Sequence, residues 1–146
     1  MLKPDLFNLS RFKSAQDCIF DTALSELKRG RKESHWMWFI FPQLQGLARS
    51  EMSLFYAIKN MEEARDYLGH EILGPRLIEI SNELLKLESS DASAVFGYPD
   101  NLKLRSSMTL FAEAAGGSSV FQKLLDKYFS GDKDSKTLAL LGTDHK

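Results

Sequence analysis

The chain has 146 residues, 43% hydrophobic and 27% charged, with a formal net charge of −1. That length predicts a single domain over 1–146, able to bury roughly 68–70% of its unfolded surface with no metal or disulfide staple. The charge balance gives no reason to expect nucleic acid or an anionic membrane as partner. The longest strictly apolar run is six residues, against the ~20 of a membrane span.

Met1-Leu2-Lys3-Pro4-Asp5 lacks the basic-then-apolar pattern of a signal peptide. Ser14 can cap a helix running to about Arg29, with Ala15, Ile19, Ala23 and Leu27 spaced four apart on one face. Within it Cys18 is the only cysteine, which forbids an internal disulfide and favours a reducing compartment. A cytoplasmic protein is the expectation. Gly30 supplies the stop, just after Lys28 and Arg29.

Ser34 begins the next element and Pro42 ends it, because the residue before proline disfavours the α region. Between them lie Trp36, Trp38, Phe39 and Phe41. By composition this run suits a buried strand, but a lone strand has no partner here, so it reads as a helix. Asn60 caps a helix with Glu62 and Glu63 in its first turn. Gly74-Pro75 opens another, whose Leu77, Ile80, Leu84 and Leu87 keep a helical spacing.

Asp91 caps a short helix over 92–96. A longer one from about Asp100 to Ala115 carries Leu104, Met108, Phe111 and Ala115 on one face. After Gly116-Gly117, Ser118 can cap a helix holding Phe121, Leu124, Leu125 and Tyr128, and Asp134 or Ser135 starts a last one ending before Gly142. The fold class is therefore all-α: a compact multihelical array of about seven to eight short helices around a Trp/Phe-rich segment.

Two segments carry unusual chemistry. Around the aromatic run, Ser34, His35 and Gln43 form a polar rim, and the Trp36 N–H needs a partner once buried. Ser34 reads first as a cap, because its only adjoining activating partner is His35, whose ring need not reach it. A lone His35 reads as a hydrogen-bonded structural residue. Upstream, Lys28, Arg29, Arg31 and Lys32 suit a helix C-terminus, or an anion site beside the aromatics.

In the second segment, Asp100, Lys103 and Ser107 share one helix face, and Arg105 and Thr109 another, with Ser106 between. Inward-facing, these groups must pair with one another or with a ligand, since an unpaired buried charge is costly. No Cys or His pair has metal-ligand spacing, and there is no nucleophile elbow, phosphate loop or dinucleotide glycine pattern. Neither metal nor cofactor is expected.

Residues 34–44, with Asp100 and 103–111, resemble the signatures of an uncharacterised bacterial family called domain of unknown function 1810. The resemblance runs from Arg11-Phe12 and Ala15-Gln16 to Asp134 and Thr137-Leu138. It includes His70, Leu73-Gly74 and Arg76-Leu77, with Glu71 where the family usually has proline. It implies a compact multihelical fold and no established activity. Some members carry a calpastatin label, which nothing in these residues supports.

Two functions compete. One is a small-molecule binding or enzymatic site, for an anionic or nucleotide-like ligand, where the two segments meet. Its candidate residues are Ser34, His35, Trp36, Gln43, Asp100, Lys103, Arg105, Ser106, Ser107 and Thr109. The other is a non-enzymatic protein-interaction module in which both segments are structural. Nucleic-acid binding through Lys28 to Lys32 is set aside for lack of net positive charge.

Overall fold

A computed structural model describes residues 4–142 and contains ten α-helices among them. They are α1 (Ser10–Asp17), α2 (Phe20–Lys28), α3 (Met37–Ile40), α4 (Glu51–Phe55), α5 (Met61–Gly69), α6 (Leu73–Lys86), α7 (Ala92–Phe96), α8 (Asp100–Ala115), α9 (Val120–Phe129) and α10 (Ser135–Leu141). No helix among the described residues is long and apolar enough to cross a membrane. The expected start at Met1 to Lys3 lies outside the described residues.

The eight expected helices become ten for two local reasons. The helix expected over 15–29 is broken at Cys18-Ile19, where Ile19 leaves the helical region. Each half then docks on its own partner: α1 packs on α3 and α2 on α6. Ser14 sits inside α1 rather than capping it. The other addition is α4, capped by Ser50, which accepts from Ser53 N at 3.1 Å. Its exposed Met52, Leu54 and Phe55 break the amphipathic pattern that would have marked it.

Local capping chemistry survives folding. Asn60 accepts from Glu63 N at 2.9 Å, Asp91 from Ser93 N at 3.0 Å and Asp134 from Thr137 N at 3.0 Å. For α9 the cap is Ser119 rather than Ser118. Gly30, at φ +86°, closes α2 with bonds from its own N–H to Leu27 O and from Arg31 N–H to Glu26 O.

The core is continuous. An aromatic chain runs from Tyr56 through Phe12, Tyr67 and Phe111 to Phe121, with neighbouring ring centroids 5.1–5.8 Å apart. The longest helix, α8, is buried nearly all round from Ser106 to Ala112 and packs on α5, α7, α9 and α10. Beside it lies the 34–43 segment, helical only over Met37–Ile40, with Trp36, Met37, Phe39, Ile40 and Phe41 all in the core. After Pro42, Leu44 and Ile58 form an isolated parallel bridge.

Helices α5 and α6 meet at Gly74. A Cβ there would lie 2.1 Å from the Leu68 carbonyl oxygen, a backbone atom with nowhere to retreat. Gly74→Ala is therefore expected to lower stability by about 1–3 kcal/mol through overpacking, read as a lower Tm. An unchanged Tm would mean the two helices are not held at this distance.

Candidate functional site

Two polar constructions join the aromatic segment to its surroundings. The first is built on Glu26, a buried carboxylate on α2. It accepts from Glu33 N at 2.8 Å, Ser34 N at 2.9 Å, Trp36 Nε1 at 2.9 Å, and the Ser34 hydroxyl. Burial alone would raise its pKa. The four donors outweigh that and hold it at about 2. Ser34 is thus neither a helix cap nor a free hydroxyl; it helps to tie the aromatic run to α2.

The second is a charge bridge between the two signature segments. Lys32 Nζ donates to Ser34 O at 2.7 Å and pairs with Asp100 Oδ2 at 2.9 Å, while lying 5.0 Å from the Trp36 ring centroid. The other Asp100 oxygen takes Lys103 Nζ at 2.9 Å, and that ammonium sits 4.3 Å from the Trp38 ring centroid. Burial works against the Asp100 charge, but the two lysines keep its pKa below the ordinary carboxylate value. The expected Asp100–Lys103 pair is real. Its third member came from the basic cluster upstream.

Lys103 also lines a groove of about 250 Å3, with Trp38, Gln43, Leu47, Ala48, Leu102 and Ser106 around it and Asp134 and Lys136 at the α10 side. Arg105 and Thr109 build that side. Arg105 donates to Asp132 O and Lys133 O, both at 3.1 Å. Thr109 Oγ1 donates to Arg105 O at 2.8 Å and accepts from Asp134 N at 2.9 Å. Together they pin the turn that delivers Asp134 and Lys136.

The candidate residues therefore divide. Gln43, Lys103 and Ser106 line the groove, and Asp100 orients Lys103 from behind. Arg105 and Thr109 position its rim, and Ser106 Oγ is spent on Leu102 O at 3.2 Å. Trp36 is fully buried and Ser107 is a core hydroxyl without a partner among the described residues. His35 is exposed and outside the groove. Sequence reasoning missed Trp38, Leu47, Ala48, Pro99, Leu102, Asp134 and Lys136. For Trp38 periodicity gave no signal, because the helix is only four residues long and Trp36 lies outside it. For Lys136 there was none either. Among the described residues no group of His, Cys, Asp or Glu side chains is placed to hold a metal ion.

A family model described as "Protein of unknown function (DUF1810)" matches residues 6–141. Among solved structures, the chain is similar to the conserved hypothetical protein Rv1873 from Mycobacterium tuberculosis. The two are 46% identical, with a TM-score of 0.92 over 94% of this chain and 99% of that one. No curated protein matches.

Proposed function

Because the chain belongs to the DUF1810 family, whose function is unknown, we propose a function from the groove itself: it binds a small anionic molecule with a flat, unsaturated ring. The observation that carries this reading is the stacking of Lys103 on Trp38 at the groove floor. The half-buried indole gives a ring a surface to lie on once the ammonium now over it swings aside to meet the anion. Lys136 adds a second cation at the rim. Across groove and bridge, Lys32, Lys103 and Lys136 outnumber Asp100 and Asp134 by one.

A thermal-shift titration against inorganic phosphate, sugar phosphates and nucleotides tests it. At ten times Kd a ligand stabilises by about 1.4 kcal/mol, a Tm rise of about 4 °C at this chain length. Lys136→Ala, remote from the bridge, is expected to weaken that ligand about tenfold and leave the unliganded Tm unchanged. If no anion shifts the Tm, the reading fails.

A second reading rests on the bridge, in which every charge already has a protein partner. On it, both segments are structural and the domain serves as an interaction module. Lys103→Met then lowers Tm while no small molecule raises it.

A further inference from the structure

The groove wall is incomplete at one residue. Gln43 is only 8% exposed, and its Nε2 has no hydrogen-bond partner among the described residues. A buried N–H left unpaired costs about 1–3 kcal/mol, so its retention calls for an explanation. The backbone on either side is fixed. Gln43 O accepts from Ile58 N at 2.8 Å, Pro42 before it is buried, and Gln45 N donates to Ile58 O at 2.8 Å. The side chain is held in the groove wall beside Trp38 and Ala48.

A separate recess of about 10 Å3 shares Trp38, Gln43, Leu47 and Ala48 with the groove and is closed by Leu44, Ser53 and Tyr56. No ring fits there. A ring in the outer groove that takes the place of Lys103 Nζ over Trp38 presents its edge to the Gln43 amide. That amide carries donors and an acceptor side by side, the complement of adjacent acceptor and donor atoms on a nucleobase edge. The outer volume, about 250 Å3, falls below the ~300–1,000 Å3 of sites enclosing larger ligands. It suits one base with one phosphorylated sugar.

Resting on the groove reading above, we propose that Gln43 is the specificity-determining residue. Its amide pairs with the base edge of a mononucleotide stacked on Trp38, whose phosphate is held by Lys103 and Lys136. Unliganded, Nε2 is left unpaired; ligand binding supplies its partner. Gln43→Leu removes the unpaired group, so it keeps or raises the Tm of the free protein while abolishing base recognition.

The test is calorimetric titration of the full chain with AMP, GMP, CMP, UMP, ribose 5-phosphate and inorganic phosphate. At least one mononucleotide is expected to bind ten times tighter than ribose 5-phosphate. Gln43→Leu should bring it down to the ribose 5-phosphate level, with ribose 5-phosphate itself unaffected. Gln43→Glu, which loses the donors and adds a negative charge, should lose the gain from the base and weaken ribose 5-phosphate as well. Binding of ribose 5-phosphate with no gain from any base overturns this inference and leaves standing only the anion-binding half of the groove reading. A Gln43→Leu protein that keeps its nucleotide affinity, or one that loses stability, also overturns this inference. If none of the six probes binds, both fail.

Discussion

Arg11→Met is expected to cost about 3–5 kcal/mol of folding free energy, because it strands a carboxylate in the core. Arg11 and Glu63 have side chains 5% and 0% exposed and pair at 2.9 Å. The guanidinium spends its remaining donors on Phe7 O, Asn8 O, Phe55 O and Ala57 O, at 2.7–2.9 Å. Glu63 Oε1 accepts from Lys59 N at 2.8 Å. One side chain thus ties α1 to the loop after α4 and to the start of α5. Lysine cannot replace it, since an ammonium lacks the planar fork that reaches carbonyls on both sides. Urea unfolding of Arg11→Met and of Arg11→Met/Glu63→Met separates the causes. The double variant should recover the part due to the uncompensated charge. Equal losses in both would assign the whole effect to the four carbonyls.

This pair shows where sequence reading stopped. The caps at Asn60, Asp91 and Asp134 were legible because a cap and its N–H lie two or three residues apart. Asp100–Lys103 was legible for the same reason. Arg11 and Glu63 stand 52 residues apart, and Arg11 drew notice only through family resemblance. The break at Cys18-Ile19 is likewise tertiary, because the spacing of Ala15, Ile19, Ala23 and Leu27 suits one continuous helix. Two docking partners, α3 and α6, overrode it.

At the groove the same boundary divides the residues. Composition singled out the aromatic run and the charged face of α8, and folding brings them together through Asp100, Lys103 and Trp38. Which tryptophan stays in the groove depends on a helix of only four residues, too short for any periodicity to decide. Lys136 reaches the groove because Arg105 and Thr109 bond the 132–134 turn, contacts 25–28 residues apart in sequence. Those two residues, read as ligand candidates, shape the rim.

Glu26 carries the other large effect, and it is one that pH can switch. Glu26→Ala leaves the buried Trp36 N–H without an acceptor and frees the two amides and the hydroxyl that fix residues 33–34 to α2. The expected loss is about 3 kcal/mol. Glu26→Gln keeps the volume but offers one oxygen where the carboxylate offers two, so about half that loss follows. The folded pKa, about 2, lies below the ordinary value of 4.5. A depressed carboxyl pKa contributes stability that is complete above the unfolded value and is lost as pH falls through the folded one. Between pH 4.5 and about 2 the wild-type chain should therefore lose about 2 kcal/mol from this group, after solvent screening. Asp17, Asp91 and Asp100 are also depressed and act in both proteins. The informative quantity is accordingly the difference between wild type and Glu26→Gln in urea unfolding across that window. It should shrink as pH falls, because acid converts the wild-type carboxylate into a neutral group resembling the amide. A difference constant with pH would move the acid sensitivity to another carboxylate and leave Glu26 a hydrogen-bond acceptor whose charge contributes nothing.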